Sequence, residues 1–219
     1  MSDMFKKLFE IKTEVWVLVI VILVLSIVGL IALSKKKDDL SETRTDQTRK
    51  IVYGGMCIAL AFILSYIRLY RMPQGGSITP GSMIPLILYS IIFGPTAGIV
   101  AGIAYGFLQF LQDGGIIHWA QLLLDYPLAF GFLGLAGIVP HRFNIRTRIV
   151  AGTVIAVIGR GFMHVLSGAI FFAEYAGDAN PWIYSTIYNG TFLGVEAIIA
   201  IVIGVMLSYS QVYESIKQI

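Results

Sequence analysis

Four ionisable residues of this 219-residue chain, Asp125, Arg160, His164 and Glu196, fall inside segments that are otherwise apolar. A charged side chain in hydrocarbon costs about 2.5–3.5 kcal/mol on insertion scales, so each needs a partner or a task. Around the first of them the sequence reads His118-Trp119-Ala120-Gln121-Leu122-Leu123-Leu124-Asp125-Tyr126. On a helix, His118, Gln121 and Asp125 share a narrow arc, with Trp119 and Tyr126 on an adjacent one. An aromatic belt at a membrane interface accounts for Trp119. It does not account for a carboxylate lying deeper, so Asp125 is expected to be a ligand residue. Arg160 and His164 are i,i+4 and face the same way, and Ser167, Gly168 and Phe171 continue their stripe. Asn189 and Glu196 share a face of the last apolar segment. For Arg160 and Glu196 the simpler reading is mutual neutralisation across neighbouring helices, because a lone buried charge is hard to keep. Asp125, Tyr126, His164, Tyr184 and Asn189 fall at one depth and predict a pocket. A dehydrated carboxylate there calls for a cation or a proton-donating heterocycle. Phe171, Phe172, Tyr126, Tyr184 and Tyr188 offer aromatic faces, each able to stack on a flat ligand or hold a cation for about 0.5–2 kcal/mol. The expected ligand is small, planar, aromatic and positively charged.

Composition sets these residues in a membrane. The chain is 57% hydrophobic and 13% charged, with a mean hydropathy of +0.79. Soluble domains carry about 25% charged residues, so this chain cannot cover a water-facing surface. It reads as a polytopic membrane protein. Cys57, the one cysteine, excludes a disulfide framework and any multi-cysteine metal site, and no metal is expected. The net charge of +3 is too small to suggest nucleic acid. No G-x-x-x-x-G-K-[ST] occurs, so the chain cannot be its own P-loop ATPase. Neither H-E-x-x-H nor G-x-S-x-G occurs, and no enzyme activity is expected. Glycine stripes such as Gly94-Pro95-Thr96-Ala97-Gly98 and Gly98-Ile99-Val100-Ala101-Gly102 suit close helix packing and carry no chemistry.

The elements that must position the pocket follow from the apolar blocks. Val15–Leu33 is uncharged and long enough to span a bilayer. A cleaved signal peptide is the competing reading, but its apolar region would be shorter, and Lys35-Lys36-Lys37 follows at once. The expectation is an uncleaved transmembrane anchor over residues 1–34, then a polar linker over 35–50. Six further apolar segments run at about 51–70, 83–94, 96–112, 119–139, 149–173 and 182–209, separated by breaks rich in Pro, Gly, Asn and Asp. Each must be helical, since lipid leaves an open chain no other way to satisfy its backbone. The second is short, which predicts a tilted, broken or protein-buried helix. Charge gives the orientation. With the linker inside, ten cations lie inside: Lys35, Lys36, Lys37, Arg44, Arg49, Lys50, Arg142, Arg146, Arg148 and Lys217. Five lie outside: Lys6, Lys7, Lys12, Arg68 and Arg71. The N-terminus is therefore expected outside, and the linker and C-terminus in the cytoplasm.

The loop Met72-Pro73-Gln74-Gly75-Gly76-Ser77-Ile78-Thr79 and the string Gln121-Leu122-Leu123-Leu124-Asp125-Tyr126-Pro127-Leu128-Ala129-Phe130 now resemble a known family. So do Arg160 to Gly168 and Tyr184 to Gly190. They are similar to the thiamine-specific substrate-binding (S) subunits of energy-coupling factor (ECF) transporters over about residues 50–210. The resemblance implies an all-α integral membrane fold, a six-helix S-component core at 51–219, to which the anchor adds one N-terminal transmembrane helix. It implies capture of thiamine from outside a bacterial cell, with no cofactor. ATP would be used only by partners, two ATPase subunits joined to a membrane coupling subunit. By position it implies thiamine binding by Asp125 (the acidic pyrimidine-binding residue), Tyr126, His164, Phe172, Tyr184, Asn189 and Gln121. Phe172 stands where some members have Trp, and the 73–82 loop expected to lid the pocket has no Trp. The family's small-residue stripe that meets the coupling subunit corresponds to Gly55 and Ala59. The alternatives are an S subunit for another vitamin or a thiamine precursor, and a self-sufficient secondary carrier. A carrier should show inverted repeats, and no half-to-half similarity is visible.

Overall fold

The computed structural model describes residues 44–115 and 117–209. The expected anchor, the linker up to residue 43 and the C-terminal residues from 210 lie outside the described residues. Six helices occupy the six apolar segments in order. They are α1 (Arg44–Tyr66), α2 (Ile84–Phe93), α3 (Pro95–Asp113), α4 (Trp119–Ile138), α5 (Ile145–Phe171) and α6 (Pro181–Leu207). The described residues thus form a helical membrane bundle with one short β-hairpin. By length and composition α1, α4, α5 and α6 can each cross a bilayer. Side chains start the last two: Asn144 accepts from the Thr147 amide, and Asn180 accepts from the amides of Trp182 and Ile183 ahead of a first-turn Pro181.

The short second segment is a protein-buried helix. α2 has 10 residues, of which Ile84, Pro85, Leu86, Ile87, Tyr89, Ser90 and Ile91 are buried. The reason lies in the chain before it. Tyr70–Arg71 pairs antiparallel with Ser77–Ile78 in a small hairpin. The hairpin turns through Gly75 and Gly76 at φ of 100° and 85°, where a side chain would be strained. The chain then descends to Thr79, whose backbone amide donates to Glu196. Glu196 lies about 22 Å along α6 from Pro181, at 1.5 Å per residue. Non-helical backbone at such depth is tolerated only where protein or a water-lined cavity surrounds it. Both do so here, and α2 has only the remaining half of the thickness to cross.

The glycine stripe of α3 packs against α4 as its spacing predicts. A Cβ placed on Gly102 would lie 2.2 Å from the Phe130 carbonyl oxygen, and one on Gly106 would lie 2.6 Å from that of Tyr126. The two backbones are in direct contact. α4 itself is irregular: an α turn over Trp119–Leu123, a wide π turn over Leu124–Leu128, and a tight 3-10 stretch over Phe132–Ile138. The π turn contains Pro127, which has no N–H for the ordinary i→i−4 bond. Such turns are frequent at functional sites. This one carries Asp125 and Tyr126.

Candidate functional site

At the hairpin end of the bundle the helices enclose a cavity of about 430 Å³. Pockets for small ligands run to about 300–1,000 Å³, so one small molecule fits. A continuous line of polar contacts crosses its base. Asp125 Oδ2 accepts from Gln121 Nε2 at 2.8 Å and from Ser167 Oγ at 2.7 Å. Its Oδ1 lies 3.1 Å from His164 Nδ1. Arg160 Nε donates to His164 Nε2 at 3.2 Å, and Arg160 Nη1 donates to Glu196 Oε2 at 3.3 Å. Glu196 Oε1 in turn accepts from the Thr79 amide at 2.9 Å and the Thr79 hydroxyl at 2.6 Å. The line therefore joins α4, α5 and α6 to the descending loop. With a neutral His164 it holds two carboxylates and one guanidinium, an excess of one negative charge.

Aromatic side chains and the hairpin close the cavity above this base. Tyr126, Phe172, Tyr184, Tyr188 and Phe192 supply apolar wall. Tyr184 and Tyr188 stack at 6.1 Å and hold the hairpin tip. The Tyr184 hydroxyl donates to Gln74 Oε1 at 2.7 Å, and the Tyr188 hydroxyl donates to the Gly75 carbonyl at 2.9 Å. On the opposite side Arg68 pairs with Asp113, and Arg71 lies 3.7 Å from the same carboxylate. Ser65, Gln109 and Gln112 form a hydrogen-bonded amide cluster just below.

All seven residues expected in the pocket, Gln121, Asp125, Tyr126, His164, Phe172, Tyr184 and Asn189, line this one cavity. The i,i+4 spacing of Gln121 and Asp125 produces a direct bond between them. Asn189 spends its amide N–H groups on the Ser185 carbonyl and the Ser185 hydroxyl, which fixes its position on α6. The expected neutralisation of Arg160 by Glu196 is present. Gly55 and Ala59 stand apart from the cavity, exposed on α1. Two assignments on the arcs need correcting. His118 does not face the cavity with Gln121: its Nδ1 caps α4 by accepting from the Ala120 amide, and its ring stacks on Phe171 at 5.2 Å. That stacking turns Phe171 away as well, leaving Phe172 to supply the aromatic wall at that end of α5. Sequence reasoning missed the mouth: Arg68, Arg71 and Asp113 line the cavity, as do Ser65 and Gln109. The usable signal was the i,i+4 pair Gln109 and Asp113 on a helix with little other polarity.

A helical membrane bundle that closes a hairpin over a ligand-sized, charge-lined cavity is built to capture a solute. Comparison with known proteins gives that class a name. Residues 51–215 match the family model described as Thiamine transporter protein (Thia_YuaJ), and the chain belongs to that family. It is a transport protein and not an enzyme. Among curated proteins it is 32% identical over 177 residues to "Thiamine transporter ThiT" of Bacillus subtilis (strain 168), covering 73% of this chain and 90% of that one. It is also 32% identical over 124 residues to "Thiamine transporter ThiT" of Lacticaseibacillus paracasei, covering 51% of this chain and 62% of the other. A solved structure of ThiT from Listeria monocytogenes superposes with a TM-score of 0.59 at 22% identity, over 74% of this chain and 92% of that one. That likeness concerns the fold.

Proposed function

We propose that this chain captures thiamine outside the cell as the substrate-binding subunit of an ATP-driven energy-coupling factor transporter. The observation that carries the reading is the convergence of Asp125, His164, Asn189 and five aromatic rings on one cavity whose base holds two carboxylates and one guanidinium. Thiamine matches each feature. Its aminopyrimidine donates hydrogen bonds to a carboxylate, its two rings stack, and its thiazolium is a cation suited to the aromatic wall and the carboxylates of the base. Asp125, Tyr126, His164, Phe172, Tyr184, Asn189 and Gln121 are the residues assigned to it.

Energy comes from partner subunits, since the chain has no phosphate-cradling loop. Gly55 and Ala59 support contact with a membrane coupling subunit. Both are exposed on α1, and a Cβ built on Gly55 meets nothing within 4 Å. A partner helix can approach there closely. The division of labour along the chain is an anchor at 1–34, a cytoplasmic linker at 35–50 whose last residues from Arg44 are the first turns of α1, and the binding core at 51–219. The N-terminus and hairpin face outward and the C-terminus inward, which sets Arg142 in a cytoplasmic loop and Arg146 and Arg148 in the first turn of α5 on that side. A tryptophan-fluorescence titration of the purified chain tests the reading. Thiamine should give a saturable change, with riboflavin and biotin inert. A response to riboflavin or biotin equal to that of thiamine, or no response to thiamine, would remove it.

A further inference from the structure

We infer that Arg160 is a positioning residue that acts through His164: its guanidinium holds the imidazole neutral, so that Asp125 keeps its charge for a cationic ligand at mildly acidic as well as neutral pH. The inference rests on the reading of the cavity as a site for an organic cation, and it adds to that reading a residue with a separate task.

The argument is one of donors and acceptors. An arginine N–H can only donate. His164 Nε2, 3.2 Å from Arg160 Nε, is therefore an acceptor. The single N–H of the ring must then sit on Nδ1, aimed at Asp125 Oδ1 at 3.1 Å. Protonating the ring would place a hydrogen on Nε2, pointing at the guanidinium. The bond would be lost, and two cations would face each other where the His164 and Arg160 side chains are only 13% and 9% exposed.

Every charged group packed around the imidazole fits this role. From α4 comes the Asp125 carboxylate, which alone would favour an imidazolium. From α6 come Glu196, already engaged by Arg160 and Thr79, and the Phe192 ring at 6.2 Å. From α5 comes Arg160 itself. The guanidinium is pinned by Glu196, by the Met83 sulfur at 2.9 Å and by the Phe130 ring, whose centroid lies 4.3 Å away. Arginine does not deprotonate in proteins, so the constraint holds at any physiological pH. Without it, Asp125 and Glu196 would both draw a proton onto His164. The resulting imidazolium would pair with the carboxylate the ligand needs, and proton and ligand would compete for one charge.

The test uses the full chain in lipid nanodiscs. R160Q alone leaves Glu196 buried without its cation, so the informative variant is R160Q/E196Q, which removes both charges and keeps hydrogen-bonding side chains. The first readout needs no ligand: the nitrogen-15 shifts of the imidazoles, with H164Q used to assign His164 among the 3 histidines. In the unaltered chain His164 should keep the neutral Nδ1–H pattern from about pH 8 to about pH 5.5, and in the double variant it should become imidazolium over that range. The second readout is the ratio of the thiamine Kd at the acidic end to that at the basic end, taken within each protein. That ratio should stay near one in the unaltered chain. In the double variant it should rise severalfold, because a proton on His164 then competes with the ligand for Asp125. An imidazolium in the unaltered chain at about pH 5.5 would overturn the inference, as would a double variant whose ring stays neutral or whose ratio stays near one. Absence of thiamine binding at every pH, with the imidazole shifts as expected, would sink the thiamine reading and leave the role of Arg160 supported.

Discussion

Two ion pairs flank the cavity, alike in chemistry and opposite in surroundings. At the mouth, Asp113 faces Arg68 and Arg71, with side chains 39%, 21% and 65% exposed. At the base, Arg160 faces Glu196, with side chains 9% and 3% exposed. Water at the mouth solvates each partner whether or not the pair forms, so exposed pairs of this kind contribute about 0–1 kcal/mol. At the base neither charge has an alternative partner in solvent, and breaking such a pair costs about 3–5 kcal/mol. The mouth pair therefore adds little to the stability of the fold. The base pair behaves as part of the scaffold, and it fixes the electrostatics that a ligand meets.

The largest expected effect comes from breaking the base. Glu196→Ala should destabilise the chain by about 3–5 kcal/mol, read as a lower melting temperature in detergent, because Arg160 is left buried and unpaired. A loss under about 1 kcal/mol would put the two pairs in the same class. Next comes Asp125, which shares the base but whose partners are neutral. Asp125→Asn should weaken thiamine binding by about 10–100-fold, since charge-assisted bonds contribute about 1.5–3 kcal/mol and each 1.4 kcal/mol is tenfold. Its melting temperature should not fall, as a burial penalty is relieved. A lower melting temperature with intact binding per folded molecule would make Asp125 a packing residue. Asp125→Glu should be milder. At the mouth, Asp113→Asn should shift stability by less than about 1 kcal/mol, and the shift should vanish in high salt. A salt-independent loss of several kcal/mol there would erase the contrast. The smallest effect on the isolated chain is expected from replacing Gly55 and Ala59 together by Leu. Thiamine binding and melting should stay unchanged while uptake by the assembled transporter stops, and lost binding would show that the α1 stripe packs internally.

Much of the site was legible because lipid makes polarity conspicuous. Asp125, Arg160, His164 and Glu196 stand out against apolar neighbours, and helical spacing alone joins Gln121 to Asp125 and Arg160 to His164. The mouth was not legible for the same reason in reverse. Arg68, Arg71 and Asp113 lie next to loops, where charge is ordinary, and only the hairpin fold brings them over the cavity. His118 was misread because a residue at a helix start is governed by capping rather than by the arc of the helix that follows. The shortness of α2 could be read from its sequence. Its cause could not, because the bond from Thr79 to Glu196 joins residues 117 positions apart.

The glycine contact between α3 and α4 has a mechanical consequence. Helices that meet through side chains can slide by exchanging rotamers, whereas Gly102 and Gly106 bring backbone against backbone, with nothing between them to rearrange. These two helices form a stiff plate, and Asp125 is mounted on it. The hairpin wall, by contrast, is tied on through side-chain contacts such as Tyr184 to Gln74. A load on the chamber walls would thus fall on the hairpin side first, while Asp125 keeps its place.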